Sequence, residues 1–156
     1  WIYEESLHTP LLISGPGLAT AMENDMLIQN LDLAPTILSL AGVDVPTDMQ
    51  GRNLVPVLKG ETPAQWRDAV YYHYYEHGGH GVPRHFGART DRYKIAFYYS
   101  LNEWELFDLE KDPQELNSVY GSPEYAVVER QMKSRLRALQ KQYKDYSATT
   151  FWRHRD

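Results

Sequence analysis

Four histidines, His73, His77, His80 and His85, fall within 13 residues of one another, with Glu76 among them. Imidazoles and carboxylates at this density can hold a metal, move a proton or hydrogen-bond a polar ligand. A zinc site needs three or four of them converging at about 2 Å. The stretch has no His-Glu-x-x-His, and Gly78, Gly79 and Gly81 make it a loop without helical i, i+4 pairing. The spacing therefore favours exposed or ligand-contacting histidines over a metal centre. Nucleophile patterns are missing. There is no Gly-x-Ser-x-Gly elbow, no phosphate-binding loop and no Gly-x-Gly-x-x-Gly, and Ser6, Ser14 and Ser39 have no base beside them in sequence. The absence of cysteine excludes a thiol nucleophile, a disulfide scaffold and a cysteine-ligated zinc within this sequence. Carboxylates pair at Glu4-Glu5 and gather at Asp108, Glu110 and Asp112. The second group runs into Asp112-Pro113, a turn expected to cap a short helical piece through Glu115 and Leu116. Turn chemistry explains it better than acid–base catalysis.

These residues must be carried on a framework. Residues 69–75 and 93–99 are aromatic and β-branched, as strands are, and residues 103–107 alternate with Trp104 and Leu106 on one face. Residues 66–107 hold 12 of the 20 aromatics, which locates a sheet with a busy surface there. Tyr125, Val128, Met132, Leu136, Leu139 and Tyr143 step by three or four, predicting a helix packed on that sheet. Earlier, the apolar run 10–14 ahead of Gly15-Pro16-Gly17 predicts a buried strand. Asp32 is placed to N-cap a helix through Leu40, with Leu33, Ile37, Leu40 and Ala41 as its apolar face and Gly42 as its stop. A second short helix is expected over 54–58, and residues 60–68 are the best internal boundary.

Composition narrows the classes further. The 156 residues suit one packed domain, and 42% hydrophobic with 24% charged residues excludes wholesale disorder. No apolar run approaches the roughly 20 residues that cross a bilayer, so no membrane partner is expected. A net charge of −5 argues against a nucleic-acid partner. Residues 123–156 carry 8 basic and 4 acidic side chains, against 8 and 17 in residues 1–122. That basic surplus lies on a helical pattern and reads as a solvated face. The chain opens at Trp1-Ile2-Tyr3 with no initiator Met and no signal-like region, so it reads as the interior of a longer protein whose location stays open.

Three ordered segments resemble one family. Tyr3-Glu4-Glu5-Ser6 followed by His8-Thr9-Pro10-Leu11-Leu12-Ile13 resembles the segment that closes the catalytic domain of the sulfatases. Residues 32–38 (Asp-Leu-Ala-Pro-Thr-Ile-Leu), Ala41-Gly42-Val43 and Gly51-Arg52-Asn53-Leu54 resemble the helix and loop that follow it. Residues 104–109 (Trp-Glu-Leu-Phe-Asp-Leu) with residues 112–117 (Asp-Pro-Gln-Glu-Leu-Asn) resemble a signature near the family's end.

The resemblance implies an α/β, alkaline-phosphatase-like fold, of which residues 1–60 would be the tail. Residues 61–156 would then be an α+β C-terminal subdomain, a small antiparallel sheet of about four strands packed by a long helix. It implies hydrolysis of sulfate esters by a formylglycine nucleophile assisted by Ca2+. Both would lie outside this chain, which has no catalytic residue or metal ligand of its own and is expected to be inactive alone. The local pattern around residues 71–76 and 84–90 resembles N-acetylglucosamine-6-sulfatases. It implies a sulfated amino sugar or glycosaminoglycan as substrate, with His85, then His73 and Arg84, as binding residues. Arg89 is read as a strand-end salt bridge, and the tyrosines as sheet packing. Two alternatives stand beside this: a non-catalytic carbohydrate-binding or interaction module, and a phosphonate or phosphodiester hydrolase of the same superfamily. The expected partners are the sulfated carbohydrate and a missing N-terminal catalytic half, with self-association of the chain alone through Leu11, Leu12, Ile13, Leu33, Ile37 and Leu40. A periplasmic, secreted or lysosomal setting is favoured over the cytoplasm.

Overall fold

The computed structural model describes residues 1–76 and 80–149. The chain divides into two compact units, Pro10–Asp68 and Trp1–Thr9 together with the chain from Ala69 onward.

The Pro10–Asp68 unit holds helix α2 (Leu33–Leu40) and the one-turn helix α3 (Val55–Leu58), close to the predicted spans. Asp32 sits at the N-cap of α2, but its buried carboxylate makes no capping bond to that helix. It accepts instead from both Arg67 Nη atoms and from the backbone N–H of Gln29 and Arg52 at 2.8 and 2.7 Å. Thr36 Oγ1 donates to the Asp32 carbonyl at 2.6 Å and accepts from Leu54 N–H at 2.8 Å. Gly51 is required in this knot, because a Cβ there would stand 1.9 Å from the Leu31 carbonyl oxygen. These polar demands turn α2 over relative to its predicted face. Pro35 and Thr36 are buried, while Ile37 and Leu40 are exposed. Residues 10–14 form no strand, since the unit supplies no strand to pair with them, and Leu12 is 95% exposed.

The other unit is built on a four-stranded antiparallel meander in the order β1 (Ala69–Tyr74), β2 (His85–Thr90), β3 (Tyr93–Tyr98) and β4 (Glu103–Asp108). Strand β2 carries little strand signal, because Gly87 and Ala88 sit in its middle. Its glycine has a packing reason. A Cβ on Gly87 would meet Ile2 Cδ1 at 2.3 Å and the Ile95 carbonyl oxygen at 2.4 Å.

One face of the sheet, with Ala69, Phe86, Ala88, Ile95, Phe97 and Leu106, packs against Met132, Leu136 and Leu139 of helix α4 (Ala126–Gln142). Tyr125, Val128 and Tyr143 complete the predicted stripe. The short helices α1 (Glu4–Leu7) and α5 (Tyr146–Thr149) flank the sheet sequence. On the opposite face Ile2 packs with Ala96, Tyr98, Leu7 and Tyr72. The helical piece expected at 112–116 is a turn instead. Glu115 adopts φ +53, and Asn117 N–H bonds the Asp112 carboxylate at 2.8 Å. Among the described residues no helix is long and apolar enough to cross a membrane.

Candidate functional site

Strand pairing sets His73 opposite Phe86 and Tyr74 opposite His85. Since successive side chains alternate, the two histidines lie on opposite faces of the sheet. The sequence cluster is therefore split by its own fold.

On the helix-covered face, the His73 side chain is 4% exposed, and its Nδ1 lies 2.5 Å from Asp145 Oδ2. That carboxylate also accepts from the hydroxyls of Tyr71 at 2.7 Å, Tyr75 at 3.0 Å and Ser147 at 2.6 Å. Burial alone would raise the Asp145 carboxyl, but bonds from His73, Ser147 and Tyr71 hold it far below the ordinary carboxylate range. A carboxylate acceptor assigns the proton to Nδ1, and Nε2 meets the Tyr99 hydroxyl at 3.3 Å. Arg84 is exposed, makes no ion pair among the described residues, and precedes His85 at the start of β2. The His73 ring meets those of Tyr75 and Tyr99, with centroids 3.7 and 5.8 Å away.

On the other face, His85 is fully buried among the rings of Tyr72, Tyr74 and Tyr98, with centroids at 5.6, 5.5 and 5.0 Å. Its Nδ1–H donates to the Pro83 carbonyl at 2.7 Å, and its Nε2 has no partner among the described residues. Burial is the main cause of its lowered pKa. The Pro83 bond opposes the shift. What results is a neutral imidazole whose free nitrogen can only accept a hydrogen bond.

The same face holds a buried ion network. Lys94 Nζ lies 2.7 Å from Glu4 Oε1 and 2.8 Å from Glu115 Oε1, and donates to the Ile2 carbonyl at 2.9 Å. Glu4 also pairs with Arg89 at 3.2 Å, which makes Arg89 the salt-bridge residue its position suggested. Asp108 takes a bidentate bond from Arg92, whose third nitrogen meets Glu110 at 2.7 Å. The carboxylate group at 108–112 is accordingly structural. An open cleft of about 460 Å³ is lined by Glu4, His8, Arg89 and Arg92 among others, but both of its arginines already have carboxylate partners.

His80 is exposed, 3.9 Å from Glu76, and His77 lies outside the described residues. Among the described residues no three His, Cys, Asp or Glu side chains gather as metal ligands would. Sequence reasoning missed Asp145, which looks like an ordinary helix-end carboxylate. It also missed Lys94, although a lysine amid Tyr93, Ile95 and Phe97 was a visible anomaly.

The family described as N-sulphoglucosamine sulphohydrolase, C-terminal, matches residues 1–142. An N-acetylglucosamine-6-O-sulfatase of Bacteroides thetaiotaomicron is 45% identical over 150 residues, covering 93% of this chain and 27% of that protein. A solved structure described as bound to its substrate D-glucosamine-2-N,6-O-disulfate is 48% identical, with a TM-score of 0.71 over 74% of this chain and 24% of that one. Another, a 2-O glycosaminoglycan sulfatase, is 29% identical, with a TM-score of 0.78 over 87% of this chain and 30% of that one. The chain thus spans about a quarter of the length of the sulfatases it matches.

Proposed function

This chain belongs to the family of N-sulphoglucosamine sulphohydrolase C-terminal regions, and from that membership we propose that it serves as the substrate-reading part of a sulfatase acting on sulfated amino sugars. The observation that carries the proposal is the 45% identity to an N-acetylglucosamine-6-O-sulfatase across 93% of this chain. In this reading residues 1–60 end the catalytic domain and residues 61–156 form the C-terminal subdomain. The rest of the polypeptide would cover the exposed Leu12, Ile37 and Leu40. Alone, the chain would self-associate through the same residues.

The formylglycine and Ca2+ implied by the family do not fit the residues of this chain. It has no cysteine, and its described residues gather no metal-ligand set. Both groups belong elsewhere in the polypeptide. What this chain contributes is recognition. Arg84 is the exposed cation available to an anionic substituent of the sugar. His73, nearly sealed, stands behind that surface, and His85 offers Nε2 as an acceptor to a hydroxyl or amide donor that reaches it. Exposure supports Arg84 as the foremost of the three.

The test is sulfate release from N-acetylglucosamine 6-sulfate by the polypeptide encoded in the full reading frame around this chain. Hydrolysis is expected, with Arg84→Ala raising KM about tenfold, the effect of losing one charge-assisted bond, and leaving kcat nearly unchanged. A frame that opens close to Trp1, with sugar binding but no sulfate release, would instead make the chain a carbohydrate-binding module. Hydrolysis of a phosphonate ester in preference to every amino-sugar sulfate would overturn the sulfatase reading.

A further inference from the structure

We propose that Tyr75 is a stacking platform for the apolar face of a pyranose ring, held ready by His73 and Asp145. The inference rests on the reading of this chain as a carbohydrate-recognising one. Tyr75 follows the last residue of β1 and is 59% exposed, yet it is fixed at two points. Its ring stacks on the His73 imidazole with centroids 3.7 Å apart and planes 27° apart, and its hydroxyl donates to Asp145 at 3.0 Å. One ring face is therefore against the protein, and the other is left to solvent. Burial and the Asp145 carboxylate push that hydroxyl up to about 12, so it stays a donor at neutral pH.

A tyrosine that only covers His73 would need neither so much exposure nor a second anchor. Asp145 already has His73, Tyr71, Ser147 and the Ala148 N–H as donors. The added bond from Tyr75 does little for the carboxylate and much for the ring, whose side-chain freedom is lost before any ligand arrives. Rigid, half-exposed aromatic faces suit the C–H face of a sugar, since contact is gained without ordering a floppy group. The surroundings fit as well. Strand register sets Tyr74 opposite His85, so Tyr75 and Arg84 are the next residues at the same end of β1 and β2, and the Tyr99 ring also meets His73 with centroids 5.8 Å apart. A sugar ring resting on Tyr75 would carry its anionic substituent toward Arg84.

The experiment is an aromatic-resonance NMR titration of this chain with N-acetylglucosamine and, separately, N-acetylglucosamine 6-sulfate. Both sugars should shift the Tyr75 ring signals, and Tyr75→Ala should weaken both by about tenfold, which corresponds to about 1.4 kcal/mol. Tyr75→Phe keeps the ring and should stay within about threefold of the wild type. Asp145→Asn should match that threefold loss while also moving the His73 imidazole nitrogen signals, which Tyr75→Phe leaves in place. Equal binding by wild type and Tyr75→Ala, or no shift of the Tyr75 ring with either sugar, would overturn the platform. The sulfate-reading proposal fails separately, if the sulfated sugar binds no better than the plain one and Arg84→Ala changes neither.

Discussion

On the helix-covered face of the sheet, His73 has Asp145 on one nitrogen and Tyr99 near the other, whereas on the opposite face one nitrogen of His85 has no partner among the described residues. The coverings differ in the same sense. The first face is closed by apolar side chains of α4, and its polar residues gather at the rim, where they can be satisfied and where exposure begins at Tyr75. The second is closed by residues 1–7, whose backbone and Glu4 need a buried cation, so Lys94 sits in the middle of the sheet. A rim cluster with every partner in place can present a ligand surface without moving. A sealed pocket with an unused acceptor can be stable only while its occupant stays neutral.

The largest effect should come from opening the polar face. Lys94→Ala leaves Glu115 without its cation and Glu4 with Arg89 alone, a loss of about 3–5 kcal/mol by the usual cost of breaking a buried pair. Leu136→Ala on the other face should cost about 2–5 kcal/mol through its cavity. Urea unfolding measures both. The faces separate in the rescue: pairing Lys94→Met with Glu115→Gln should recover much of the loss, since apolar replacement of a buried pair is often close to neutral, and no second polar change should rescue Leu136→Ala. A cost for Lys94→Ala below about 1 kcal/mol would show that the network does not hold this face.

A smaller effect is expected at the rim. Asp145→Asn gives up the charged acceptor of three hydroxyls and one imidazole, for a loss of about 1–3 kcal/mol. Its pH dependence has a definite sign. The folded carboxyl lies below its unfolded value, so its stabilisation is full above about pH 4 and is lost as pH falls toward the folded value. The gap between wild type and Asp145→Asn should therefore be wide at pH 6 and narrower at pH 3. A gap that does not change with pH would assign the loss to packing rather than to charge.

Much of the helix-covered face was legible in the sequence. The stripe from Tyr125 to Tyr143 and three of the four strands follow directly from side-chain periodicity and aromatic content. Strand β2 was not legible, because Gly87 is dictated by Ile2 lying across it, a contact between residues 85 positions apart. The same holds for the site. Sequence neighbours His73 and His85 looked like one cluster, and only strand register sends them to opposite faces. Asp145 and Glu115 owe their roles to partners 72 positions away in one case and to a backbone turned to φ +53 in the other. Helix α2 misled for a related reason: its apolar stripe is real, but within its own unit the Asp32–Arg67 knot decides which side is buried.

The finest distinction between the two faces is the charge state of His85. Its pKa is lowered, first by burial, so the unfolded chain binds a proton more readily than the folded one. The stability this gives is full above the unfolded value of about 6.5 and is lost as pH falls below it. His85→Phe keeps a ring among Tyr72, Tyr74 and Tyr98, while removing both the bond to Pro83 and the unpartnered Nε2. These two changes oppose each other, and at pH 8 the variant should lie within about 1 kcal/mol of the wild type. Between pH 7 and pH 5 the wild type should lose stability relative to the variant, by less than the roughly 1.4 kcal/mol per pH unit that one proton allows. The other histidines are common to both proteins and cancel in the difference. Parallel pH profiles would mean that Nε2 already has a partner able to share its proton, and the asymmetry between the two histidines would vanish.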